Sequence, residues 1–218
     1  MILVGVDTSG KNGSLTLART EADGATLRII DTVVLTGGMF SAQLIPELAE
    51  LVARHGFSKP DIGAFAVISG PGSFTGLRVG LAAVKGLGEA LQKPIVPISL
   101  LEMIARKGSD RHVMAALDAG RNELYVGEYE DGVLIGDEQL VGRAAFVQCV
   151  ALKVITPDIP LTEQLRQQQK AVELVEHPGS VGAVQLGWQT LREGRSVAPD
   201  QLDANYIRRS DAEIFAKS

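Results

Sequence analysis

The 218-residue chain has little cysteine and no excess of positive charge. Its one cysteine, Cys149, excludes an intrachain disulfide and a cysteine metal cluster. Because this residue lies in the apolar run AAFVQCVAL, we predict a buried, structural thiol. With 21 Lys and Arg against 26 Asp and Glu, the formal charge of −5 argues against a protein that binds nucleic acid by itself. Any contact with nucleic acid is therefore expected to be indirect.

Long apolar runs are also missing from the sequence. No stretch reaches the roughly 18 residues that a membrane-spanning helix needs. The opening segment, MILVGVD, has no basic stretch followed by an apolar run and a cleavage site. We therefore expect a cytoplasmic protein. A hydrophobic fraction of 45% over 218 residues is enough for one large domain or two small ones.

Apolar and polar residues alternate in the first third of the chain as they do in β-strands. The segments ILVGVD, SLTLA and ATLRIIDTVVL predict a three-strand meander. Ser41 is the predicted N-cap of an amphipathic helix that ends at Gly56 and buries Leu44, Ile45, Leu48, Leu51 and Val52. A buried strand (DIGAFAVISG), a helix from Phe74 to Leu91, a strand (PIVPIS) and a helix (LLEMIARKG) follow. This order predicts an α/β fold in which helices cover a mixed sheet.

The segment HVMAALD, residues 112–118, begins the same pattern again. VGVDTSGKNGSLTLA and MAALDAGRNELYVGEYE share a strand, a terminal Asp, small residues, a basic residue followed by Asn, and a second strand. This repetition indicates two related halves, 1–108 and 109–218, although chance similarity of two strand–turn–strand units is the alternative. The second half is predicted to contain a hairpin at Asp131 and Gly132. Short helices at Arg143–Ala151 and TEQLRQQQ, strands in KVIT and KAVELV, and a last helix from Ser180 to Glu193 complete it.

The stretch GVDTSGKNG matches the P-loop pattern G-x-x-x-x-G-K, but Asn12 stands where a hydroxyl should bind magnesium. A P-loop also leads into a helix, whereas SLTLA has the pattern of a strand. We therefore reject the P-loop. Asp7, Thr8 and Ser9 instead predict a hairpin whose amides approach a phosphate while the carboxylate holds hydrated magnesium. With Asp118 at the equivalent place in the second half, two carboxylates would face a cleft, as in actin-like ATPases. The alternative is that both only accept hydrogen bonds from turn amides.

The second distinctive stretch is SGPGSFTGLRVGLAAVKGLGEAL. It misses the dinucleotide pattern by one position, and Ser73 lacks the flanking glycines of a nucleophile elbow. Ser73 is a candidate N-cap, and small residues recur along the helix at Gly76, Gly80, Ala83 and Gly86. Because each glycine costs a helix about 1 kcal/mol relative to alanine, they indicate close approach of another backbone. That backbone belongs either to the chain's own sheet or to a partner's helix, and the spacing leaves both open.

Four motifs, VDTS, GPGSFTGLRVGL, LDAGRNELYVG and NYIRRS, together resemble the bacterial TsaB (YeaZ) family over essentially the whole chain. The resemblance implies a two-lobed actin-like, ribonuclease H-like fold without catalytic activity of its own. It also implies an accessory role in making threonylcarbamoyladenosine in tRNA, at the adenosine beside the anticodon. Two residues depart from the family pattern: Gly120 replaces an arginine, and Ile207 replaces the commoner leucine. For Arg208 and Arg209, contact with RNA, contact with a subunit and a solvated basic pair all stay open.

The resemblance further implies a partner interface. The catalytic partner is a TsaD-type enzyme, a TsaE-type ATPase completes the assembly, and tRNA is reached only through the complex. A homodimer is expected when the partner is absent. The implied interface follows the first two helices, roughly Ser41 to Arg54 and Phe74 to Leu91. Its predicted residues are Leu44, Leu48, Gly72, Ser73, Phe74, Gly76, Leu77, Val79, Gly80 and Ala83.

Metal and cofactor chemistry have weak support in the sequence. His55, His112 and His177 lie far apart and form no pair with helical spacing, so we expect no metal centre. No cofactor is certain, and ATP or ADP is the candidate for the cleft or the partner interface. The main alternative to an accessory subunit is an independent ATPase or small-molecule kinase that uses Asp7 and Asp118. A serine protease based on Ser73 is a weaker alternative.

Overall fold

The computed structural model describes residues 1–207, which form two compact units. The first unit contains Met1–Leu100 and Pro178–Ala204, and the second contains Leu101–His177 and the described residues from Asn205 onward. This division differs from the predicted halves, 1–108 and 109–218, because the chain returns to its first unit near its end. A split by sequence position does not allow for such a return. Arg208 and Arg209 lie outside the described residues.

Residues 1–207 form ten β-strands and six α-helices. The strands are β1 (Ile2–Asp7), β2 (Gly13–Thr20), β3 (Leu27–Leu35), β4 (Ile62–Gly70), β5 (Ile95–Ser99), β6 (His112–Gly120), β7 (Glu123–Glu130), β8 (Val133–Gly142), β9 (Val154–Thr156) and β10 (Val172–Leu174). The helices are α1 (Phe40–Arg54), α2 (Phe74–Leu91), α3 (Leu100–Ala105), α4 (Arg143–Cys149), α5 (Ile159–Gln167) and α6 (Gly179–Arg192). None of the described helices is long and apolar enough to cross a membrane.

The first unit is built on a mixed sheet with strand order β3-β2-β1-β4-β5. β1, β2 and β3 form the predicted antiparallel meander, and β4 and β5 run parallel to β1. Val184 of α6 packs on one face of the sheet, against Leu3, Ala18 and Ala64. Because side chains alternate along a strand, the neighbouring residues point to the other face, which α1 and α2 cover. Helices on both faces explain why β1 and β4 are almost completely buried.

The second unit repeats this topology. Its sheet has the order β10-β9-β6-β7-β8, with an antiparallel meander of β6, β7 and β8 and two strands parallel to β6. α4 and α5 contribute Phe146, Val147, Leu161 and Leu165 to a core that includes Leu124 and Val126 of β7. The predicted hairpin at Asp131 and Gly132 is confirmed, since both residues adopt positive φ between β7 and β8. The two units therefore share the plan that the repeated sequence pattern indicates.

Three local predictions were wrong. α1 begins at Phe40 and its N-cap is Met39, so Ser41 lies inside the helix. The buried side of this helix begins at Phe40, and Ile45, predicted to be in the core, is 45% exposed. Cys149 is exposed because the short helix α4 buries Phe146 and Val147 and directs its last residue to the surface.

Candidate functional site

Asp7 stands at the end of the central strand β1 and is buried. Its Oδ1 atom accepts two hydrogen bonds from Ser9, one from the backbone N–H at 2.8 Å and one from the hydroxyl at 2.6 Å. Such bonds are typical of an aspartate that organises its own turn. The geometry therefore favours the interpretation that the Asp7 carboxylate accepts hydrogen bonds from its turn.

The glycines at the start of α2 pack against the β1–β2 turn of the same chain. Ser73 donates its backbone N–H to the Ser9 carbonyl at 2.7 Å, and a β-carbon on Gly72 would lie 2.6 Å from that oxygen. A β-carbon on Gly76 would overlap the carbonyl oxygen of Thr8, and one on Gly80 would overlap the Thr8 hydroxyl. The close approach that the small residues predict is thus made within the chain. Among the described residues, Thr8 Oγ1 is a buried oxygen without a hydrogen-bond partner.

The first turn of α2 agrees with the sequence in detail. The helix begins at Phe74, and the Ser73 hydroxyl accepts a hydrogen bond from the Gly76 N–H at 3.3 Å, as predicted for an N-cap. Phe74 is 38% exposed, and the Arg78 guanidinium lies over its ring, 3.8 Å from the centroid. An aromatic side chain and an arginine are thus presented together at the surface.

The predicted interface residues divide into two groups. Ser73 and Phe74 are exposed, and Gly72, Val79 and Ala83 are partly exposed. The other five contact the chain's own core and cannot touch a partner unless the unit opens: Leu44, Leu48, Gly76, Leu77 and Gly80. The reason is geometric, because the apolar and small residues of α1 and α2 face the sheet. Two exposed apolar residues at the beginning of α1 were not among the predicted interface residues: Met39 (51%), and Ile45 (45%), which was expected in the core.

Asp118 lies near the end of β6, where Asp7 lies in β1. Its carboxylate accepts a hydrogen bond from Arg143 Nη2 at 2.6 Å, and the same nitrogen reaches Asp158 Oδ2 at 3.4 Å. Asp158 also caps α5 by accepting the Leu161 N–H at 2.8 Å. The arginine partner of Asp118 is 25 residues away in sequence, and no spacing rule could have indicated it. Asp7 and Asp118 belong to different units, so their shared cleft stays a prediction.

The departure at Gly120 has a local cause. Gly120, Arg121 and Asn122 all adopt positive φ, at 69°, 54° and 62°, in the turn between β6 and β7. This left-handed conformation favours glycine over residues that carry a β-carbon. The residue that replaces the family's arginine is therefore one that this turn accepts without strain.

Two of the histidines form hydrogen bonds with carboxylates. His55 bonds to Asp31 at 2.8 Å, and His112 bonds to Glu128 at 2.7 Å. In residues 1–207 there is no cluster of three or more His, Cys, Asp or Glu that could hold a metal ion.

Comparison with known proteins decides the family. Residues 35–194 match the family model of TsaD, tRNA N6-adenosine threonylcarbamoyltransferase. The tRNA threonylcarbamoyladenosine biosynthesis protein TsaB of Escherichia coli is 29% identical over 190 residues, which cover 78% of this chain and 81% of TsaB. The chain belongs to the TsaB (YeaZ) family. TsaB of Bacillus subtilis is 29% identical over 145 residues, or 65% of this chain and 60% of the relative.

Two solved structures from Pseudomonas aeruginosa extend the similarity to the whole fold. YeaZ is 25% identical with a TM-score of 0.73, covering 94% of this chain and 100% of YeaZ. A second protein, described as similar to the peptidase YeaZ, is also 25% identical with a TM-score of 0.77, covering 95% and 99%. The expected actin-like, ribonuclease H-like fold, with mixed sheets flanked by helices, is thereby confirmed.

Proposed function

We propose that this chain is a non-catalytic accessory subunit of a TsaD-type threonylcarbamoyltransferase. It is required for threonylcarbamoyladenosine modification of tRNA at the adenosine beside the anticodon. Family membership supports the pathway, because the E. coli and B. subtilis relatives are tRNA threonylcarbamoyladenosine biosynthesis proteins. The observation that carries the docking proposal is the exposed Phe74–Arg78 pair at the start of α2.

The proposed docking surface consists of the exposed residues of α1 and α2. Ile45 and Phe74 are large apolar side chains with 45% and 38% exposure on two helices that contact each other, and Met39, which directly precedes α1, is 51% exposed. Exposed apolar side chains are typical of protein interfaces, and aromatic residues and arginine often contribute most to binding. The buried residues Gly76 and Gly80 let α2 pack closely against the β1–β2 turn, which fixes the position of the exposed residues of the helix.

The state of the two aspartates supports the absence of independent catalysis. The Asp7 carboxylate accepts the hydrogen bonds of its own turn, and the Asp118 carboxylate forms an ion pair with Arg143. Both carboxylates thus have partners within the chain, and a structural role explains these contacts without a bound ion. The proposed accessory role therefore does not require ATP or ADP. If the chain binds a nucleotide, we expect it in the cleft or at the partner interface.

The remaining partners follow from the same proposal. A TsaE-type ATPase joins the complex, the complex brings the chain to its tRNA, and the assembly acts in the cytoplasm. When the TsaD-type subunit is absent, two copies pair through the apolar residues of α1 and α2, because these residues would otherwise stay exposed to water.

Co-elution with the TsaD homologue of the same organism tests the docking surface. The double variant I45D/F74D should lose the complex, since it places two charges in an apolar interface. The matched control is V133D/I159D, which changes exposed apolar residues of the second unit. Equal co-elution of both variants would overturn the surface, and tRNA modification that proceeds equally without the chain would overturn the accessory role.

The alternative is an independent ATPase or kinase, favoured by the buried, unpartnered Thr8 hydroxyl beside the Asp7 turn. ATP turnover by the isolated chain tests it. We expect no turnover above the buffer rate. Turnover that is lost in both Asp7→Asn and Asp118→Asn would replace the proposal by this alternative.

A further inference from the structure

β8 forms one edge of the sheet in the second unit. β7 pairs with it on one side, and no strand of residues 1–207 pairs with it on the other. At the start of β8 three consecutive apolar residues are exposed, Val133 by 66%, Leu134 by 38% and Ile135 by 42%. Because side chains alternate along a strand, both faces of this end are apolar. An exposed apolar edge pairs readily with other chains, and native proteins commonly cover it.

The apolar end of β8 lies in an acidic part of the second unit. Residues 128–138 contain five acidic residues and no lysine or arginine. Residues 102–112, which lead into β6, contain two acidic residues and three lysines and arginines, and Arg111 of this stretch pairs with Asp131. With every carboxylate ionised and His112 neutral, three positive against seven negative charges leave a net charge of −4. A segment that covers this edge is therefore expected to bring positive charge together with apolar side chains.

The described part of the chain ends beside the same strand. Asn205 Nδ2 donates a hydrogen bond to Glu138 Oε2 at 2.6 Å, and Ile207 is the last described residue. Glu138 and Val133 are five positions apart in β8, about 17 Å at a rise of about 3.3 Å per residue. The 11 residues from 208 to 218 span up to about 36 Å when fully extended. The segment that follows Ile207 is therefore long enough to reach the exposed end of β8.

The composition of residues 208–218, RRSDAEIFAKS, matches this edge. The segment begins with Arg208 and Arg209, shortly after the asparagine that contacts Glu138, and it has three basic residues against two acidic ones. Ile214 and Phe215 are its large apolar residues. Removal of two such side chains from water is favourable, and arginine forms strong hydrogen bonds with carboxylates. The segment thus offers both the charge and the apolar surface that the edge requires.

We propose that residues 208–218 cover the exposed edge of β8 in the same chain. The two arginines contact the carboxylates near Glu138, and Ile214 and Phe215 pack on the apolar residues at the start of the strand. This cover keeps the edge from pairing with other chains. It concerns β8 of the second unit and goes beyond the proposed function, whose docking surface lies on α1 and α2 of the first unit.

Hydrogen exchange of the 218-residue chain tests the cover. The variant I214D/F215D replaces the two apolar residues by charges, and A212D/A216D is the matched control because it adds the same charges to the same segment. Mass spectrometry follows amide exchange in a peptide that contains Val133–Ile135. In this peptide, the amides directed away from β7 have no strand partner in residues 1–207. They should exchange roughly tenfold faster in I214D/F215D than in the natural chain, and within about threefold of the natural rate in A212D/A216D.

Trypsin cleavage after Arg208 and Arg209 gives a second measurement, which leaves the segment itself unchanged. V133D on β8 should speed this cleavage roughly tenfold, because a charge on the edge releases the segment. The matched control is V34D, at a valine of β3 that is 71% exposed, and it should stay within about threefold of the natural rate. Exchange in peptides from α2 should be unchanged in every variant, which confirms that the first unit stays folded.

Four results overturn the inference. Unchanged exchange in I214D/F215D, or equal acceleration in both double variants, shows that the apolar residues of the segment do not protect β8. Unchanged cleavage in V133D shows that β8 does not hold the segment. Protection of β8 that rises with protein concentration assigns the edge to a second copy of the chain. Protection that is present only with the TsaD or TsaE homologue assigns it to a partner.

Discussion

Gly76 of α2 packs against the carbonyl oxygen of Thr8 so closely that a β-carbon on Gly76 would overlap that oxygen. The oxygen belongs to the backbone at the end of the central strand and cannot move alone. Gly86, on the same helix, has no atom within 4 Å of its would-be β-carbon. One helix therefore contains two glycines with opposite roles.

The same substitution should change stability in opposite directions at these two positions. Gly76→Ala should lower the free energy of unfolding by about 1–2 kcal/mol, because the cost of overpacking exceeds the gain in helix propensity. Gly86→Ala should raise it by about 0.5–1 kcal/mol, because only the propensity gain applies. Chemical denaturation of both variants checks this. Equal effects of the two substitutions would contradict the packing of α2 on the β1–β2 turn.

Local signals in the sequence predicted local structure well. The bounds of α2, from Phe74 to Leu91, are as predicted because a serine cap and a glycine bend mark its beginning. The meander and the β7–β8 hairpin follow from alternation and from the Asp-Gly turn. The start of α1 was misplaced because Met39 caps without a side-chain hydrogen bond, and no residue type signals such a cap.

Long-range relationships were beyond the sequence. The spacing of Gly76 and Gly80 indicated a close neighbour but could not tell the turn at Thr8 from a partner's helix. α6 follows the second unit in sequence but packs on the sheet of the first unit. The hydrophobic pattern of a helix does not indicate which of two sheets it covers. Of the candidate site, the sequence identified Asp7 and Asp118 but missed Arg143, because pairing of distant charges depends on the fold.

The contact between Asp31 and His55 should produce a pH-dependent contribution to stability. The hydrogen bond from His55, together with the Thr32 N–H and Arg54, lowers the pKa of Asp31 below its ordinary value of 3.8. A carboxylate with a lowered pKa stabilises the folded state above the unfolded pKa and loses this effect as pH falls through the folded pKa. The natural chain should therefore be more stable than Asp31→Asn at pH 6, and the difference should shrink below about pH 4.

Stability curves against pH check this effect. Asp137→Asn is the matched control, since Asp137 is exposed and has no hydrogen-bond or ion-pair partner among the described residues. Its difference from the natural chain measures the general effect of losing one exposed carboxylate. A shrinking difference of the same size in both variants would show that the Asp31–His55 contact contributes nothing specific.

The exposure of Cys149 predicts a reactive thiol in the folded protein. As the only cysteine, it gives a direct count with a colorimetric thiol reagent. Because reaction of a thiol requires access, one thiol per chain should react in native buffer at a rate near that in denaturant. If the thiol reacts only after unfolding, Cys149 is buried, as its apolar sequence context predicted.

The two carboxylates that hold Arg143 should contribute unequally to stability. Asp118 makes the shorter contact, 2.6 Å, but its side chain is 49% exposed, so solvent screens the pair. Asp158 makes the longer contact, 3.4 Å, but its side chain is 11% exposed and also caps α5. Burial and the cap should outweigh distance, since an N-cap contributes about 1 kcal/mol and a buried charge is costly without its partner.

We therefore expect Asp158→Ala to lower the free energy of unfolding by about 2 kcal/mol and Asp118→Ala by less than about 1 kcal/mol. Asp158→Asn should fall between them, because asparagine caps a helix as well as aspartate but brings no charge to Arg143. Chemical denaturation of the three variants gives the order. If Asp118→Ala costs the most, the shorter ion pair dominates, and Asp118 is fixed by Arg143 more firmly than its exposure indicates.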